Sequence, residues 1–321
     1  MRRLRVLLNS GFSGPHAGFF LAEANGHFTH AGLSIEWLAG AGAAAVVPHL
    51  VDGSCDAAYG DLNALIILLS SLPPESGPIS PFVAFNRTPL TIAVNKHGPV
   101  QLPADLAGRT VSGHARDAAL IVFPALAKAA GIDPRQVKIL PSPASLGEQV
   151  RRMVVEQAAD GVFGFVNTII ASMSESRIDL EDQISFIEYA DSLPDLYGNA
   201  LIVTRALYNQ EPQTVQALAQ AAASGFRDAA ADPEAGIAAV KLRKPDLDTA
   251  INLRRWKGTL AREMAHPERA IFGLGGADPL RVERSARIMC EALGLPRQPA
   301  ASEIYANSFA ANGQTGFPAE V

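Results

Sequence analysis

Short apolar runs broken by Gly- and Pro-rich turns, each followed by a longer stretch carrying helix signals, recur along most of the chain. Leu4 to Leu8 reads as a strand, Asn9 to Pro15 as a loop, and the residues through Ala24 as a helix that Gly26 ends. Leu33 to Trp37 alternates apolar and polar positions as a half-buried strand does, and Gly40 to Gly42 leads into an Ala- and Val-rich helix predicted over Ala43 to Val51. Ala57 to Tyr59 reads as a buried strand, Gly60 to Asn63 as a turn with a helix cap, and Ala64 to Ser70 as a helix. Alternation of strand and helix in this order predicts a mainly parallel sheet.

Ser71 to Pro81 reads as a loop, with strands predicted at Phe82 to Asn86 and Leu90 to Val94, and beyond them the pattern restarts. The run from Leu106 to Val111 enters a polar turn, Ser112 to Arg116, after which Asp117 caps a helix reaching Ala130 that Gly131 closes. Strands follow at Val137 to Leu140, Gly161 to Val166, Ile184 to Glu188 and Ala200 to Val203, with a helix over Leu146 to Gln157. Beyond residue 205 the chain reads as almost entirely helical, with stops predicted at Pro212, Pro233, Pro245, Pro267 and Pro279.

Composition narrows the class. At about 150 residues per domain, 321 residues imply two domains. A charge of −5 offers no footprint for a polyanion, so nucleic acid is not an expected partner. Cys55 and Cys290 are the only cysteines, too few for a disulfide framework or a Cys-only zinc site, and both are expected free. The strongest apolar run, Ala64 to Leu69, is far short of the roughly 20 residues of a membrane helix. The start, MRRLRVLLNSGFSG, lacks the apolar stretch of a signal peptide, which fits either a trimmed signal or none.

Several segments in fixed order resemble the NMT1/THI5-like family of solute-binding proteins that serve ABC importers. They are HAGFFLAEANGHF at 16–28, AGLSIE at 31–36, AGAGAAAVVPHLVDGSCDAAYGD at 39–61, DLAGRTV at 105–111, YGNALIVTRAL at 197–207 and the ending from Ile304 to Phe309. The resemblance implies an α/β, two-lobed periplasmic-binding-protein-like fold of type II. Its first lobe would span 1–92 plus 200–321 and its second 93–199, with two crossovers and a ligand cleft between lobes that close on the solute. It further implies a monomer without cofactor, delivering a small organic molecule to an ABC permease. Such a protein works in the periplasm or at the outer cell face; a cytoplasmic location is the alternative.

Open α/β sheets bind ligands beyond the carboxyl ends of their strands, which selects the loops to inspect. The first holds Ser10, Phe12, Ser13 and His16 at a helix start, where hydroxyls and amides suit a polar or anionic group, or simply cap the helix. Gly42, in the Gly40 to Ala44 turn, brings bare backbone toward a ligand. Asp61 and Asn63 follow the third strand as caps or ligand contacts. Ser112, His114 and Arg116, with Gly113 and Asp117, form the densest polar cluster and suit an anion. Phe165 and Asn167 offer a stacking face and an amide, Tyr197 lies at the return crossover, and Trp256 is expected to pack.

Neither G-x-G-x-x-G nor a P-loop lysine is present, and no H-x-x-x-H or C-x-x-C pattern suggests a metal. Two relatives of the fold are enzymes. A desulfinase uses a cysteine on the first loop, where NSGFSGPH has Ser13 and no thiol; a pyrimidine synthase carries a Cys-rich motif that is missing here. Binding is therefore the expected activity. The expected ligand is heteroaromatic and pyrimidine-like, a sulfonate or an aromatic acid, with a small-molecule enzyme of either kind as the alternative.

Overall fold

A computed structural model describes residues 1–306. Its strands are β1 (Arg2–Leu7), β2 (Leu33–Leu38), β3 (Ala57–Asp61), β4 (Ile79–Val83), β5 (Leu90–Asn95), β6 (Thr110–Gly113), β7 (Lys138–Pro141), β8 (Gly161–Phe165), β9 (Ile184–Glu188) and β10 (Asn199–Val203). They form two five-stranded sheets within two compact units. One unit comprises Met1–Arg87, Asp195–Cys290 and the described residues from Leu295; the other comprises Thr88–Pro194 with Glu291–Gly294. The chain changes unit at 87/88 and 194/195, and again briefly at 290/291 and 294/295, so β5 lies wholly in the second unit and β10 wholly in the first.

The first sheet has the order β2-β1-β3-β10-β4. β1 pairs in parallel with β2 and β3, and β10 runs antiparallel to both its neighbours. Four strands therefore end on one rim, where β10 begins. The second sheet, β7-β6-β8-β5-β9, repeats this plan with β5 as the reversed strand.

Helices Ala17–Ala24 and Pro212–Ala231 cover the first sheet. They meet through small residues: a Cβ on Gly225 would lie 2.1 Å from the Gly18 carbonyl oxygen, and one on Gly18 would strike the Phe226 ring at 2.4 Å. Phe19, Tyr59, Phe226 and Trp256 are all buried here, and the Trp256 indole Nε1–H donates to the Ala229 carbonyl at 2.8 Å. The second unit has its own core, including Val150, Met153, Val162, Ile169 and Met173.

The structure departs from the sequence reading at several places in the first unit. No α-helix forms over Ala43 to Val51; a turn leads into a single 3-10 turn, Val47–Leu50. Pro48 is responsible, since it cannot donate to the Ala44 carbonyl and its ring collides with the preceding helical turn. The fourth strand starts at Ile79, inside the expected loop, because Pro81 is tolerated on an edge strand whose register shifts beside it. The prolines Pro212, Pro233 and Pro279 open helices, a first-turn position where the missing N–H costs nothing. Of the Ile304 to Phe309 ending, Tyr305 bridges to Ser80, whereas Asn307 and Phe309 lie outside the described residues.

Candidate functional site

The first rim is assembled by backbone pairing between loops. Leu8 N–H donates to Leu38 O at 2.8 Å, Gly42 N–H to Asn9 O at 2.7 Å, and Asp61 N–H to Ala43 O at 3.0 Å. Gly42 has φ of +135°, which explains its glycine, and a Cβ on Gly40 would lie 2.0 Å from the Leu8 carbonyl oxygen. Asp61 pairs in register with Asn199, and the Asn63 amide donates to the Tyr197 carbonyl at 2.9 Å. Ser10, Gly42, Asp61 and Asn63 are thus brought to one edge, joined by Asn9 and Asn199.

His16 is fully buried inside the first loop. Its Nδ1 accepts the Ser13 N–H at 3.2 Å, which places the ring proton on Nε2, and that atom donates to Asn9 Oδ1 at 2.7 Å. Burial, with the Arg255 charge adding to it, holds the imidazole pKa down at about 3. His16 is therefore a neutral brace with both nitrogens occupied. Phe12 is half-buried, edge-on to Phe20 at 5.0 Å between ring centres. Asn252 Oδ1 accepts the Gly14 N–H at 2.8 Å, tying the loop to the helix Thr249–Thr259.

Asp61 caps the helix Leu62–Ser70 by accepting the Ala64 N–H at 3.0 Å, and Asn63 reaches its other oxygen at 3.3 Å. Three polar atoms of this rim are buried without a hydrogen-bond partner among the described residues: Ser13 Oγ, Asn63 Oδ1 and Asn199 Oδ1. Tyr197 is fully buried as well. Its hydroxyl donates to Glu268, so it presents no open face on the rim.

The second rim carries the other candidates. Strand β6 continues to Gly113, so Ser112 is a strand residue and not the start of the turn; its hydroxyl donates to Gln149 Oε1 at 2.6 Å, inside the unit. Strand alternation turns Ser112 inward once the strand is two residues longer than expected. His114 is half-buried and Arg116 exposed, and among the described residues Arg116 makes no ion pair. Asp117 caps the next helix by accepting the Ala119 N–H at 2.8 Å, with burial raising its pKa. Phe165, half-buried, ends β8, and Asn167 follows in the first turn of helix Val166–Glu175. Thr88, just before β5, adds another buried hydroxyl without a partner among the described residues.

Sequence reading missed Asn9, Asn199, Asn252 and Thr88. Asn9 lies two residues past the end of a strand, the same offset as Asn63, so its position carried a local signal. Asn199 and Asn252 act through partners far along the chain, which leave no local signal.

Cys55 is buried, and desolvation pushes its thiol up to about 12. Iodoacetamide at pH 8 is expected to leave Cys55 unmodified in the folded protein and to alkylate it in urea; peptide mass mapping reads both. Labelling of Cys55 in the native state would refute its burial.

An α/β unit whose strands deliver polar loops to one rim, repeated in a second unit, is the fold of periplasmic binding proteins. The chain belongs to the NMT1/THI5-like family, whose model matches residues 13–236. Solved structures share the fold at low identity. The alkanesulfonate-binding protein SsuA of Xanthomonas axonopodis pv. citri, bound to MOPS, is 14% identical with a TM-score of 0.69, over 95% of this chain and 98% of that one. The periplasmic aliphatic sulphonate-binding protein SsuA of Escherichia coli is 13% identical with a TM-score of 0.68, over 96% and 99%. The desulfurization enzyme DszB is 14% identical with a TM-score of 0.56, over 95% and 97%. No curated protein matches the sequence significantly.

Proposed function

We propose that this protein binds a small organic solute outside the cytoplasm and hands it, as a monomer, to an ABC permease. The observation that carries the reading is the set of orphaned polar atoms at the first rim. Ser13 Oγ, Asn63 Oδ1 and Asn199 Oδ1 are withdrawn from water without a partner among the described residues. Buried polar groups are normally satisfied, and a ligand offering donors and acceptors is one way to satisfy these. Family membership and the sulfonate-binding proteins of the same fold support it. Among the described residues no helix is long and apolar enough to cross a membrane.

The fold also hosts DszB, so catalysis is the competing reading. In the first loop the arrangement opposes it. A serine nucleophile needs a base, and His16 has no free nitrogen to offer Ser13 Oγ. A pKa of about 3 also makes that imidazole a weak base at neutral pH.

Calorimetry with an alkanesulfonate, an aminopyrimidine and benzoate tests the reading, with product analysis run in parallel. Saturable one-to-one binding of an unchanged compound is the expected result, and turnover would replace binding with catalysis. For an anionic ligand, Arg116→Ala is expected to weaken affinity about ten- to a hundredfold, the worth of a charge-assisted hydrogen bond. An unchanged affinity in Arg116→Ala with a large loss in Asn167→Ala would assign recognition to neutral groups.

A further inference from the structure

Asn86 and Arg87 are the last residues of the first unit before the chain leaves it, and Asp195 and Leu196 are the first on its return. Both segments converge on one side chain. The Arg281 guanidinium donates through Nη2 to the Asn86 carbonyl at 2.6 Å and to the Leu196 carbonyl at 3.4 Å. Its Nη1 donates to Glu268, and its plane lies 4.1 Å from the centre of the Tyr197 ring. Glu268 in turn accepts from Tyr197 and from the Asp278 N–H, while the Asn86 amide donates to the Gly276 carbonyl at 2.9 Å. Arg281 and Glu268 are only 5% and 6% exposed. One helical turn further along, Arg284 reaches Asp195 at 2.9 Å.

We infer that Arg281 is a positioning residue that clamps the outgoing and returning segments into a single anchored point. Generic core packing would not require one guanidinium to address a carbonyl in each of two segments over a hundred residues apart. Arginine's planar fork can do this; a lysine ammonium is a point charge that can keep the Glu268 pair but cannot span both carbonyls in the same geometry. The clamp needs Glu268 because a buried guanidinium without its counter-charge is strongly unfavourable.

The reporters are already in place. Ala84 and Phe85 N–H donate to Asn199 O, Arg87 N–H to Glu263 O, and Gly198 N–H to Phe85 O. Hydrogen exchange read by mass spectrometry or NMR is expected to show these amides, from both segments, exchanging at least tenfold faster in Arg281→Lys, with the amides of β1 to β3 unchanged. The paired variant Glu268→Gln with Arg281→Met removes both charges together, so it tests the clamp without leaving a lone buried ion. It is expected to fold and to loosen both segments in the same way. Acceleration in one segment only, acceleration spread evenly over the unit, or native protection of both segments in the folded paired variant would overturn the proposal.

Discussion

Shifting the pH from 7.5 to 5 is expected to remove about 2 kcal/mol of stability through His16 alone. Burial holds the folded imidazole at about 3, whereas an unfolded histidine titrates near 6.5. The unfolded chain therefore takes up a proton that the folded loop refuses. The contribution is fully present above the unfolded value and declines as the pH falls from 6.5 toward 3, at close to 1.4 kcal/mol per unit well inside that window. Urea melts of the wild type and His16→Gln at both values check this. Glutamine can donate to Asn9 and accept from Ser13 without titrating, so its loss between the two pH values should be smaller by about 2 kcal/mol. Parallel losses in the two proteins would show that His16 is not held neutral.

Gly225→Leu is expected to cost 3 kcal/mol or more, since overpacking typically costs about 1–3 kcal/mol and here the obstacle is backbone. The added Cβ alone would meet the Gly18 carbonyl oxygen at 2.1 Å, the Ala22 Cβ at 2.3 Å and the Ala22 nitrogen at 2.7 Å. The helices Ala17–Ala24 and Pro212–Ala231 must then separate, uncovering the core around Phe19 and Phe226. Chemical denaturation measures the effect. Gly53→Ala offers a contrast, because a Cβ there has no neighbour within 4 Å and only the φ of +76° opposes it. A cost for Gly225→Leu no greater than that for Gly53→Ala would remove close helix contact as the reason for the glycine.

Much of this was readable from local pattern. The alternation from Leu33 to Trp37, the Asp61 and Asp117 caps and the restart at Leu106 are short-range signals, and the structure contains the corresponding elements. Where local chemistry conflicted, reading failed. The apolar run Ala43 to Val51 has helix-like composition, yet Pro48 inside it decides its conformation. Ser112 has the chemistry of a turn residue, yet the strand continues through it to Gly113. The burial of His16 and Tyr197 was illegible for another reason. Their partners are set by the meeting of distant segments: Tyr197 depends on Glu268, and the loop containing His16 is held by Asn252.

The reversed strand in each sheet also bears on how the chain folds as it is synthesised. In the second unit β5 comes first, so its sheet can close once β9 has emerged, within one nearly continuous stretch. In the first unit β10 separates β3 from β4, so Phe82 and Val83 lack a strand neighbour in that sheet until Asn199–Val203 is made. The unit begun first is therefore completed last. During elongation the waiting edge of β3 and the unpaired β4 are the segments most exposed to wrong pairing, and any chaperone holding the nascent chain has most to shield there.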